Sequence, residues 1–194
     1  MNKQKIKRMV GIALLMGMVI VLQFVSSSIP PIGGLVSISL VLIPIVLGAA
    51  AYGVGCGVFL GATFGVVVAI NCITGADPGG AMVFQADPAL CFLVVMGKGI
   101  LAGLASGAVF KLLEKKNLYV AMLCAAIICP VVNTGTFIAC MLLFFVDVLN
   151  AWASGAALVG YILTGLVLAN FVPELIINIV FSPASARILK VIRK

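Results

Sequence analysis

The sequence predicts an all-α integral membrane protein with six transmembrane helices and both termini in the cytoplasm. Three observations carry this. Of 194 residues, 64% are hydrophobic and 9% are charged, against about 25% charged in a soluble domain. From Met9 to Ala76 there is no Asp, Glu, Lys, Arg or His, a run far longer than the ~20 apolar residues that cross a bilayer. The basic residues stand in blocks beside apolar segments rather than scattered through them. A soluble globule is excluded, and so is a disordered chain, which needs low hydrophobicity and high charge. The length leaves room for one membrane domain, 1–194, and no separate soluble one.

Turn signals divide the chain into spans. The first, 9–25, follows a basic start. Its length, and the lack of a small-x-small cleavage site at Ser26-Ser27-Ser28, read as a retained helix rather than a cleaved leader. Pro30-Pro31-Ile32-Gly33-Gly34 makes an outer loop, and the second span runs over 36–51 with a kink expected at Pro44. The tight turn Tyr52-Gly53-Val54-Gly55 leads into the third span, 56–71. A polar loop follows over 72–88, rich in Gly, Asp and Pro. The fourth span, 89–110, ends at the basic segment 111–117. The fifth, 118–146, is long enough to tilt. A loop over 147–154 precedes the sixth, 155–181, and a basic tail.

Charge sets the orientation. Lys3, Lys5, Lys7 and Arg8 open the chain, Lys111, Lys115 and Lys116 form a middle cluster, and Arg187, Lys190, Arg193 and Lys194 close it. Of the twelve basic residues only Lys98 lies elsewhere, inside the fourth span. Six spans with the N-terminus inside put every basic cluster in the cytoplasm and leave the outer loops with none, as the positive-inside rule requires. The net charge of +7 therefore reports topology and no nucleic-acid partner. Continuous apolar runs exclude an outer-membrane barrel, whose strands alternate apolar and polar. The six cysteines lack paired C-x-x-C spacing and read as small hydrophobes.

Small residues recur at helical spacing in Gly53, Gly57, Gly61 and Gly65, in Gly99, Gly103 and Gly107, and in Ala13 and Gly17. Such ridges let helix backbones approach closely in lipid. Packing within the chain is the favoured reading, with Ala13 and Gly17 the pair expected to meet a partner subunit.

Intramembrane polar residues cost free energy unless they pair or face a cavity. Asn170, Glu174 and Asn178 lie at i, i+4 and i+8 on one helix face. Asn133, Thr134 and Thr136 cluster after Pro130, and Lys98 stands by itself in its span. The Asn and Thr residues serve either as interhelical glue or as solute contacts. Lys98 and Glu174 either neutralise one another or engage a polar solute.

Catalysis has no support. The chain holds no His, which removes His triads and H-E-x-x-H zinc sites. No G-x-S-x-G elbow occurs, and Gly97-Lys98 lacks the upstream glycine of a Walker A loop. No enzyme, cofactor or metal site is expected. A bundle with polar residues facing inward from its outer half fits solute binding, with Gln85, Lys98, Asn133, Asn170 and Glu174 as candidate contacts.

The order and spacing of several segments resemble a known family. First-span Ala13-Leu14-Leu15-Met16-Gly17, second-span Leu42-Ile43-Pro44-Ile45-Val46-Leu47-Gly48-Ala49 and the glycine-rich Tyr52–Gly65 stretch are similar to substrate-binding S components of energy-coupling factor (ECF) vitamin transporters. So are GADPGGAMVFQADP (75–88), KGILAGLASGAVFK (98–111), PVVNTGTF (130–137) and ELIINIVFSP (174–183). The resemblance runs from about Met9 to Pro183. It implies a six-helix bacterial plasma-membrane protein that binds a water-soluble vitamin from outside. Its implied partners are a membrane coupling (T) subunit and two cytoplasmic ATPases. The family's A-x-x-x-A docking motif falls on Ala13 and Gly17, with Gly at the second position. A carboxylate vitamin would answer Lys98, with pantothenate the first expectation. The competing reading is a stand-alone, ion-coupled secondary transporter with Glu174 as its proton site.

Overall fold

The computed structural model describes residues 3–28 and 39–193. The chain is all helix, and its polarity is inverted relative to a soluble protein. Asn71, Ser106, Asn133, Asn170, Glu174 and Asn178 are buried, whereas Leu14, Val21, Phe59, Leu143, Leu168 and Val180 stand exposed. Lipid accepts such a surface at no cost, and polar groups turn inward to find partners or a cavity. The described chain is a multi-spanning helical bundle.

Helix α1 is Lys3–Ser28 and α2 is Leu42–Tyr52. The Pro30–Gly34 loop and residues 36–38 of the expected second span lie outside the described residues. Pro44 produces no kink, because it falls in the first turn of α2, where a missing N–H breaks no hydrogen bond. Gly53, at φ +96°, makes the expected tight turn into α3, Val54–Thr74.

Residues 72–88 are not the open loop expected. They contain α4, Pro78–Ala86, whose N-cap Asp77 accepts from Gly80 N at 3.2 Å with Pro78 next in the chain. A second Asp-Pro pair repeats the device. Asp87 accepts from Ala89 N and Leu90 N at 2.9 and 3.0 Å and starts α5, Pro88–Leu113. An acid before proline is an efficient helix start, since the carboxylate caps free N–H groups and proline lacks one.

Asn117 caps α6, Leu118–Phe144, which carries Pro130 internally. The expected 147–154 loop is instead α7, Val146–Ala153, with Leu149, Trp152 and Ala153 buried. A left-handed turn at Ser154 and Gly155 (φ 48° and 88°) leads to α8, Leu158–Ile192. This last helix runs past the expected end at Phe181 and through Pro183, because Ala186 and Leu189 still bury against the bundle. Within it, Ile162–Phe171 winds as a π-helix, a widened form often found at functional sites.

Among the described residues five helices (α1, α3, α5, α6 and α8) are long and apolar enough to cross a membrane, and α2 is a shorter apolar helix. The most extensive contact joins α3 to α5, followed by α5 to α6. Glycine explains the first. A methyl group on Gly57 would lie 2.6 Å from the Gly103 carbonyl oxygen, and one on Gly61 would collide with that of Gly99. The two ladders interlock within the chain. Ala13 and Gly17 are exposed instead, and nothing lies within 4 Å of a methyl placed on Gly17.

One end of the bundle gathers basic residues from distant parts of the chain. Arg8 donates to the Tyr52 carbonyl at 3.0 Å, and Arg193 donates to the Ala50 carbonyl at 2.9 Å and to Glu114 Oε2 at 2.8 Å. Lys190 donates to the Tyr119 hydroxyl at 3.3 Å. The start of α1, the α2–α3 turn, the α5–α6 loop and the end of α8 therefore sit together.

Candidate functional site

Polar side chains from most of the long helices converge on a buried cavity in the half of the bundle away from this basic end. Gln23 of α1, Ser39, Asp77, Lys98 of α5, Asn133 and Thr134 of α6, and Asn170 and Glu174 of α8 line it. The cavity measures about 30 Å³, counted as space open to the centre of a water molecule, which is room for one or two waters.

Glu174 is the most deeply placed charge, 1% exposed. The four-residue spacing from Asn170 puts both side chains on the cavity face of α8. Its Oε1 accepts from Ser39 N at 2.7 Å, whereas Oε2 is buried with no hydrogen-bond partner. Asn178, one turn further, does not line the cavity. Its amide donates back to the Glu174 carbonyl at 2.8 Å and stays within its own helix.

Lys98 sits ten residues into α5, about 15 Å along the helix at 1.5 Å per residue. Its ammonium lies 5.5 Å from the Phe64 ring centroid and 5.0 Å from that of Phe137. Such faces attract a cation but do not neutralise it. Among the described residues Lys98 and Glu174 form no ion pair; the pairing found there is Arg193 with Glu114. The two line one cavity with space between them.

Asp77 brings a second acid to the rim. Burial pushes its carboxyl above the ordinary aspartate range, against the opposing pull of the Gly80 N–H and the Lys98 ammonium. Asn133 and Thr134 project from the turn after Pro130, and Asn133 Oδ1 is buried without a partner, as is Gln23 Oε1. The wall is therefore rich in acceptor oxygens around one cation.

Of the residues singled out from sequence, Lys98, Asn133, Asn170 and Glu174 meet here. Gln85 does not line the cavity: it is exposed on α4, about 200° around the helix from buried Val83. Ala13 and Gly17 lie on the exposed face of α1. Sequence reasoning missed Gln23, Ser39, Asp77 and Phe137. Gln23 had a signal, being an amide at the end of an otherwise apolar span; Ser39 had none.

The cavity wall offers a cation and hydrogen-bonding groups to a small polar solute, and among the described residues lining it none is arranged as a nucleophile with a base. Residues 7–185 match the family model for the substrate-specific component of ECF transporters. Comparison with curated proteins finds no match.

Proposed function

Since the chain belongs to the family of ECF transporter substrate-specific components, matched over nearly its whole length, we propose that it captures a carboxylate-bearing vitamin from outside the cell, with pantothenate the first solute to test. Membership makes it a non-catalytic, multi-pass transport protein of the bacterial plasma membrane, engaged in vitamin or micronutrient uptake. The family implies a membrane T component and ATPase subunits as partners.

The observation that carries the reading is the Lys98 ammonium, held against two aromatic rings on the wall of a buried cavity with no carboxylate in ion-pair contact. An intramembrane cation is stabilised by an anion, and a solute carboxylate supplies one. Asn133 and Asn170 would then hold the polar body of the solute, and Glu174 Oε2 would accept from its hydroxyl or amide groups. Gln85, exposed on α4, would meet the solute on its approach from outside rather than in the cavity. The single domain 1–194 crosses the membrane six times in this reading, with α2 completing the second span and both termini cytoplasmic. The clustering of the basic segments at one end supports it. Ala13 and Gly17 would receive the T component on the open face of α1.

The test is pantothenate binding to the purified chain by calorimetry, compared with Lys98→Met. The expected result is at least about a tenfold loss of affinity with the fold intact. Equal affinity in the variant overturns the ion-pair reading. A wild-type chain that binds only a cationic vitamin such as thiamine overturns the carboxylate assignment.

A further inference from the structure

Lys98 and Phe137 also form the wall of a second buried cavity on the side of α4 and α7. Val83, Cys91, Val94, Val95 and Trp152 line it, and it too measures about 30 Å³. Val68, Asp77, Lys98 and Phe137 line both spaces, so the two are lobes on either side of one partition. Their chemistry differs. The first lobe is lined with acceptors; the second is mostly aliphatic and thiol, with Asp77 at the shared edge.

One polar group of the second lobe is out of balance. Trp152 is 5% exposed, its ring stacks on Phe137 with centroids 6.4 Å apart, and its Nε1–H is buried with no acceptor. A buried indole N–H ordinarily finds a partner, and leaving one without costs free energy. Size points the same way. Neither lobe admits more than a water or two, while small-molecule sites occupy about 300–1,000 Å³. A vitamin-sized solute exceeds either lobe, so the bundle must widen around it, and a shift of the Lys98 and Phe137 side chains would open the second lobe to it.

We propose that the Trp152 lobe is the second half of the binding site, taking an apolar portion of the solute that carries a hydrogen-bond acceptor for the indole N–H. This rests on the capture reading above. The solute would span the partition, with donor groups toward Glu174, an anionic group at Lys98, and its apolar portion against Val94, Val95 and the Trp152 edge. Trp152 would then discriminate among solutes that share the polar end, since a pocket built to hydrogen-bond an acceptor rejects an analogue that lacks one.

The chain has one tryptophan, so its fluorescence reports this lobe alone. Pantothenate, biotin, riboflavin, thiamine and folate are titrated into the purified protein, reading thermal stabilisation and Trp152 emission together. The solute that stabilises the protein is expected to change the emission, and Trp152→Phe, which keeps a stacking ring, to bind it about three- to tenfold more weakly. A solute that binds with unchanged emission overturns the second lobe while leaving capture intact, and so does equal affinity in Trp152→Phe. The emission arm needs no variant to fold. A wild-type chain that binds none of the five overturns the capture reading and this one with it.

Discussion

At the scale of single residues, Asp77 serves two demands that oppose each other. As the cap of α4 it accepts from Gly80 N–H, which favours the carboxylate, while burial favours the neutral acid and prevails. An acid whose folded pKa is raised holds its proton more tightly in the native state. Its contribution to stability is therefore full below the ordinary value of 3.8 and is lost as pH rises through the higher folded value. Asp77→Asn keeps a capping side chain and has no proton to lose. The melting temperature of the wild type minus that of Asp77→Asn is expected to fall as the pH rises above the ordinary value of 3.8; a flat difference would show that burial does not control this group. Residues of this kind were hard to read from sequence. Asn170 and Glu174 declared themselves because one helical period joins two polar groups in an apolar span. Asp77 stood among glycines and prolines, where an acid ordinarily faces water, and it is half-buried at the start of α4, on the cavity wall.

Among the elements, two small-residue ridges of equal spacing have opposite fates. On α3 and α5 the glycines face one another so closely that a methyl on Gly61 meets the Gly99 backbone. On α1, Gly17 has open space before it. Gly61→Ala is expected to destabilise the bundle by about 1–3 kcal/mol, lowering the melting temperature in detergent. Gly17→Leu is expected to leave the melting temperature and solute binding unchanged while abolishing uptake in cells that supply the T component and ATPases. Uptake at the wild-type rate would place the docking face elsewhere. Spacing revealed both ridges, because a four-residue repeat defines a helix face whatever it touches. It could not say which ridge was covered, since that depends on the neighbouring helix. The short helices α4 and α7 were missed for a related reason: Asp-Pro before α4 and Ser-Gly after α7 mark loops and helix ends alike, and eight or nine residues hold too few turns for a period to show.

For the whole molecule, the basic end is the feature that orders everything else. Cysteines placed at Gln85 and Asn150, both exposed at the far end, are expected to react with a membrane-impermeant maleimide on intact cells in a cysteine-free background. One at Lys115 is expected to react only after permeabilisation; the reverse pattern would invert the topology. That the chain is a multi-spanning helical bundle was legible because hydropathy acts on whole segments, although five rather than six helices among the described residues are long and apolar enough to cross a membrane. The division of the cavity by Phe137 was not, since it arises from contacts between distant helices, and no sequence signal marked the π-helical stretch of α8. Arg8 and Arg193 hold backbone carbonyls only two residues apart, at Tyr52 and Ala50. The last helix thus returns to the side of the first, with the α2–α3 turn between them. In this sense α8 closes the bundle back onto α1, a clasp made by two arginines on one short stretch of backbone.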